Sequence, residues 1–356
     1  MNAGSRTYAV KTMAGRAAVV VLVAVFLAVP RMGGVRAAEA PADPAAEKLR
    51  QAEQEQAAAV KAQGRGEEKA AAEYAQNAQR LLEEARNLHL QRISEAPRDP
   101  RVLTSYGEFL TTVGSPDLAA ETLRHAVSLE PGYAEAWLAL GQALRELDPS
   151  RAKQAQQALN RATELAADDT FAGRAWAAVG LLYWEQGLYE FAAESFETAL
   201  THDPGQTDAK IGLAGTNIRL GQVAAASRTL DAMTALTQEQ QALVEKVVKE
   251  GLDAYDRVRM WYPDTAESHL AYAKLAIRAN RFVDCLVALR RAASLEPGNP
   301  VIWNFLGSVY AGVGESDRAR EAFQRSLELN PDQPRTRSAL DNLPDAKPAD
   351  AEQTQP

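Results

Sequence analysis

The chain has one cysteine, Cys285, and four histidines in 356 residues. A single thiol cannot close an intramolecular disulfide. His89, His125, His202 and His269 lie far apart and form neither an HExxH pair nor a Cys–His pattern, so no metal site is expected. There is no P-loop, no GxSxG elbow and no GxGxxG following a strand; nothing reads as strand at all. The carboxylates are plentiful but sit beside Lys and Arg at helical spacing, as solvated faces do. A non-enzyme without cofactor is expected. Aromatics are scarce, at 6% of residues, so those that recur at fixed spacing are informative. Long apolar runs are also lacking. The longest, Ala17 to Val29, has 13 residues, short of the ~20 that span a bilayer.

That run follows Arg6, Lys11 and Arg16 and precedes Val35-Arg36-Ala37, the pattern of a secretory signal peptide over residues 1–37. A periplasmic or secreted location is expected, with cleavage after Ala37. Arg31 and Arg36 beyond the run leave an uncleaved inner-membrane anchor as the alternative. Residues 1–37 hold five Lys or Arg and no acid, so the remainder has 34 basic against 47 acidic residues, a net of −13. Such a chain has no general electrostatic attraction for nucleic acid or an anionic membrane surface.

What the sequence does have is a repeat. Trp176, Val179, Gly180, Tyr183, Ala192, Phe196, Ala199 and Pro204 are matched by Trp303, Leu306, Gly307, Tyr310, Ala319, Phe323, Ser326 and Pro331, each 127 residues on. The first four of each set share a helical face. The glycine admits a second helix, small residues and one Phe line that helix, and Pro ends the unit. Weaker copies start at Pro100, Ala134, Thr207 and Ala266. In the copy from Ala134 the second helix is shifted by two residues, lengthening the turn near Asp148-Pro149-Ser150. Cys285 takes a small-residue position, and His269 takes a Trp position, so both should pack. The 34-residue frame resembles the tetratricopeptide repeat (TPR), a helix pair that stacks on its own copies and needs roughly three or more of them. The resemblance implies an all-α, right-handed solenoid of six pairs, near 101–129, 134–166, 172–202, 207–235, 266–295 and 300–329.

The frame breaks once. Units at Thr207 and Ala266 start 59 residues apart, leaving 25 beyond one 34-residue period. The surplus predicts an extra amphipathic helix within 236–264. Thr237 and Gln240 form its capping box, and Leu243, Val244, Val247, Val248, Leu252, Tyr255, Val258 and Trp261 line one face. An added helix should shift the superhelix phase or divide the array into units at 98–235 and 265–333; a degenerate repeat half is the other reading. Residues 38–97 are rich in Ala, Glu, Gln and Lys. They predict a polar, partly frayed first helix, then a second from about Glu67 to Ser94 covering the first repeat. A coiled coil there is weakly signalled, since no heptad of large apolar residues persists. A short capping helix should follow Pro334, then a disordered tail to residue 356.

Function must then reside in surfaces. In the TPR family, positions 2, 5, 9, 12 and 13 of the first helix face the concave groove. Carried over by frame, the resemblance gives Leu138, Gln142, Arg145, Ala177, Leu181, Trp184, Ile211, Ile218, Leu270, Lys274 and Ile277. This apolar stripe suits an amphipathic or extended apolar protein segment; the chain's own helices are the competing occupant. Thr104, Glu108 and Glu135 stand where cations or amides would clamp a terminal carboxylate, so that mode is not expected. The reading is an exported scaffold or adaptor for assembly of an envelope, secretion or polysaccharide system. The alternative is an accessory subunit holding an enzyme or a lipid-bearing substrate. Oligomeric state is left open.

Overall fold

The computed structural model describes residues 43–344, except Ala235 and residues 259–261. The expectations for the leader, for Trp261 and for the tail beyond residue 344 lie outside the described residues. Within them the chain is all-helical, with sixteen α-helices and no strand.

The first two helices, α1 (Pro44–Gly64) and α2 (Glu68–Glu95), pair antiparallel. Arg92 meets Asp43 at 2.7 Å and Lys48 meets Glu84 at 2.6 Å, fixing the two helices side by side. The first helix is continuous rather than frayed. Asp43 caps it, accepting from the N–H of Ala45 at 2.8 Å. Alanine dominates the buried face: Ala45, Ala52 and Ala62 on α1, and Ala78 and Ala85 beside Leu81 and His89 on α2. The small residues let the backbones approach closely.

Six helix pairs follow. They are α3 (Pro100–Thr112) with α4 (Pro116–Leu129), α5 (Ala134–Leu147) with α6 (Ala152–Glu164), and α7 (Asp169–Glu185) with α8 (Tyr189–His202). The series continues with α9 (Thr207–Arg219) and α10 (Val223–Asp231), α12 (Ala266–Arg278) and α13 (Phe282–Leu295), and α14 (Pro300–Gly312) and α15 (Ser316–Leu329). The long turn between α5 and α6 holds one 3-10 turn at Pro149–Arg151, whose start is set by Asp148 accepting from the Ser150 N–H at 2.6 Å. The helix α16 (Pro334–Asp341) packs on α15 as the terminal cap.

One contact recurs through the pairs. Phe196 is fully buried, and a Cβ placed on Gly180 would lie 2.8 Å from its ring. A Cβ on Gly212, in the next unit, would collide with the same ring at 2.5 Å. Gly307 stands against Phe323 in the same way, at 2.6 Å, and Gly141 against Leu159 at 2.5 Å. Gly187 and Gly314 close the turns inside the two strongest units at φ 74° and 81°, a backbone region where L side chains are strained. Cys285 is fully buried, as expected of a packing residue, and burial pushes its thiol up to about 12. His269 departs from expectation. Instead of packing like Trp, it bonds Asp264 at 2.6 Å, and Asp264 also accepts from Arg291.

The extra helix is α11 (Gln238–Val258), and it runs unbroken. Its capping box is formed as the sequence predicts: the Thr237 N–H donates to Gln240 Oε1 at 3.0 Å, and the Gln240 N–H donates to Thr237 Oγ1 at 3.2 Å. It does not separate two lobes. The next first helix, α12, packs directly on α10, while α11 lies against α9 and α12. All the described helices belong to one compact unit.

Gly180→Leu or Gly307→Leu should cost roughly 1–3 kcal/mol by overpacking the Phe contact. Chemical denaturation of both variants measures it; unchanged midpoints in both would show that this contact does not set the pair geometry.

Candidate interaction groove

The first helices α3, α5, α7, α9, α12 and α14 present the frame positions assigned to a concave face. The structure sorts the eleven proposed residues into three groups. Leu138, Ala177, Ile211 and Ile218 are buried, at 2%, 0%, 2% and 0% exposure. They are corrected from groove lining to core. Leu138 is enclosed by the N-terminal core, which also holds Tyr106, Leu140 and Val179. Ile211 and Ile218 share the C-terminal core with Val244, Val248, Leu252 and Tyr255 of α11.

The chain's own helix therefore occupies the concave side at α9. A glycine sits on each side of this crossing. A Cβ on Gly251 of α11 would lie 2.9 Å from Ile218 Cγ2, and one on Gly215 of α9 would collide with Val247. The two backbones approach because both positions lack a side chain. Polar contacts fasten α11 further. Tyr272 on α12 donates to Asp256 at 2.9 Å, and Arg281, between α12 and α13, bonds Asp256 at 2.5 Å and Asp284 at 2.7 Å. Asn280 reaches Glu245 at 2.7 Å. Tyr255 stacks on Tyr262 at 5.0 Å between ring centroids, and Tyr262 closes over Gly221.

The second group lies on α12. Leu270 and Ile277 pack partly buried against the C-terminal core. Lys274 bonds Asp231 at 2.8 Å, beside Arg278 at 2.9 Å, so it ties α12 to the end of α10. Burial works against the Asp231 carboxylate, yet the two cations hold it below its ordinary value.

The third group, Gln142, Arg145, Leu181 and Trp184, lies on α5 and α7 and stays half-buried. Arg219 stands 5.7 Å from the Trp184 ring centre and 5.7 Å from that of Tyr189, a cation–π arrangement at the border with α9. The Arg145 side chain is 10% exposed, with Nε 3.6 Å from a Glu185 carboxylate oxygen, so it is paired by charge and not by a hydrogen bond. Burial raises the Glu185 carboxyl above its ordinary value; Arg145 opposes that rise. At the other end of these helices, Glu108 on α3 is open to solvent yet crowded by protein. That crowding raises its carboxyl, with Glu135 adding to the rise and Arg174 opposing it. Tyr133 is pushed up to about 12 by burial and by Glu135 and Glu108. Frame-based reading named Arg145, Glu108 and Glu135 but missed the pairing of Arg145 with Glu185. It also missed the Gly215–Gly251 crossing, although a glycine at position 9 was a legible sign of close approach.

Comparison with known families agrees with this architecture. Residues 68–192 match the middle TPR-like domain of cilia and flagella-associated protein 70, and residues 183–249 and 300–333 match tetratricopeptide repeat models. The chain carries tetratricopeptide repeats. No curated protein sequence matches it. Among solved structures, the chain is similar to the APC/C hetero-tetramer Cut9–Hcn1, at 12% identity and a TM-score of 0.39, over 71% of this chain and 44% of that one. It is likewise similar to yeast Tom70, at 14% and 0.36, over 86% and 65%. A third likeness is to Pseudomonas aeruginosa PilF, at 15% and 0.34, over 67% and 95%. The chain thus spans under half the length of the first of these. TPR proteins generally mediate protein–protein interactions, and the TPR scaffold is typically non-enzymatic.

Gly251→Leu should lift α11 from α9 and cost roughly 1–3 kcal/mol. Hydrogen exchange should then rise in α11 and stay unchanged in α5; uniform exchange across both would show that α11 is not separately seated.

Proposed function

We propose that this chain is an exported interaction scaffold whose TPR array holds an apolar or amphipathic partner segment along α5 and α7. The observation that supports this reading is the division of the concave face. α11 fills the side at α9, whereas Leu181, Trp184 and Gln142 keep partly exposed surface. Trp184 is the natural anchor, because large aromatics in desolvated pockets carry a disproportionate share of binding energy. The apolar character of the partner follows from Leu181 and Trp184. Its site in an envelope, secretion or polysaccharide system follows from the signal-like leader at residues 1–37.

Trp184→Ala should cost on the order of 2 kcal/mol in affinity for the partner and little stability. Trp176→Ala, whose ring packs against the N-terminal core, should instead destabilise the fold by roughly 3–5 kcal/mol. Affinity purification from the envelope with mass spectrometry supplies the partner, and a recovered lipid in place of protein would favour the accessory-subunit reading. Equal melting losses in both variants would remove Trp184 as an anchor.

Export has its own test. A fusion of residues 1–45 to a periplasm-dependent reporter should be active, with the mature chain beginning near Ala38. An intact Met1 on membrane-bound material would replace cleavage by anchoring.

A further inference from the structure

His89 is the one histidine of the four placed inside an apolar contact. It is 4% exposed, on the face of α2 that docks on the first repeat. Its ring lies 4.9 Å from that of Phe109 and 5.8 Å from that of Tyr106, both on α3. Leu82, Ala85 and Ile93 of α2 and Leu49 of α1 complete the seam with the N-terminal core. His202 and His269 each bond a carboxylate, at 2.8 Å and 2.6 Å. Among the described residues none hydrogen-bonds the His89 imidazole.

We infer that His89 makes the docking of the α1–α2 pair onto the first repeat pH-sensitive: the pair is held at neutral pH and released on acidification. A neutral imidazole tolerates an apolar seam, but an imidazolium there gives up most of its hydration to burial. Burial accordingly lowers the basicity of the ring. Asp43, at the start of α1, works the other way, and Arg92 on α2 adds to the lowering. From α3 the ring meets the aromatic rings of Tyr106 and Phe109.

The sign follows from which state takes up the proton. Undocked His89 titrates near the ordinary value of about 6.5, whereas docked His89 protonates only at lower pH. Docking is therefore complete above about 6.5 and weakens as pH falls below it. If the docked ring stayed neutral throughout, the undocking equilibrium would rise at most roughly 30-fold at pH 5. The α1–α2 pair itself should survive this window. Burial opposes the Asp43 charge, but Arg92 and the N–H groups of Ala45 and Ala46 hold that carboxyl below its ordinary value. The seam opens and the hairpin moves as a unit.

The test places donor and acceptor dyes at Gln63→Cys, near the end of α1, and Glu130→Cys, after α4, in the full chain with Cys285→Ala. Alanine is tolerated at Cys285, since Ala119, Ala192 and Ala319 hold that position in other units. Energy transfer should change between pH 7.5 and 5, reversibly, and stay constant in His89→Phe, which keeps the ring and removes the proton. A constant signal in the parent, or an equal change in His89→Phe, overturns the inference. Should His89→Phe fail to fold, NMR titration of the His89 ring in the unaltered chain decides. A midpoint clearly below 6.5 with loss of the α2–α3 contacts supports the switch, and a midpoint at or above 6.5 overturns it.

Discussion

In four of the six pairs a buried side chain of the second helix presses on a glycine in the paired first helix. Phe196 against Gly180 and Phe323 against Gly307 are the aromatic forms; Leu123 against Gly107 and Leu159 against Gly141 are the aliphatic ones. The contact fixes how closely the two helices of a pair approach. Phe196 also touches Gly212 of the following unit, so the same ring sets the spacing between pairs. Everything that stacks on the array inherits this geometry, including the face on which α11 rests.

The α11 crossing repeats that logic on the concave side. Gly215 and Gly251 each remove a side chain, and the helix settles between α9 and α12 without separating α10 from α12. The result is an unequal groove. The surface of α11 lined by Glu245, Lys246, Lys249, Glu250 and Asp253 is charged. At α5 and α7, Trp184 and Leu181 keep aromatic and aliphatic surface. The two surfaces differ in chemistry.

Much of this was legible in the sequence. The 127-residue offset placed the two strongest pairs, and the Thr237–Gln240 capping box started α11 within a residue. What failed was the inference from face to exposure. Frame positions say which way a side chain points on its helix, but Ile211 and Ile218 are buried because another helix lies over them. The sequence points to the chain's own helices as a competing occupant, but the amphipathic face of that helix does not say which frame positions it covers. The α1–α2 pair was underread for a related reason. Alanine on a buried face packs two helices closely, yet in a segment that is alanine-rich throughout it adds no contrast to the pattern.

The indole at the fourth position of a unit does more than fill space. Trp137 Nε1 donates to the Pro131 carbonyl at 2.9 Å, and Trp303 Nε1 donates to that of Pro297 at 2.9 Å. Each bond satisfies a carbonyl at the end of the preceding unit, so a side chain seals the boundary between neighbours. Lys210 and His269 hold that place in the units flanking α11, and His269 has turned to Asp264. An unsealed boundary opens at lower free energy than a sealed one, because water can take the carbonyl without breaking a side-chain bond. The array should therefore resist opening at the boundaries before α5 and α14, while the one before α12 relies instead on the Asp231 ion pairs and on α11, which lies against both α9 and α12.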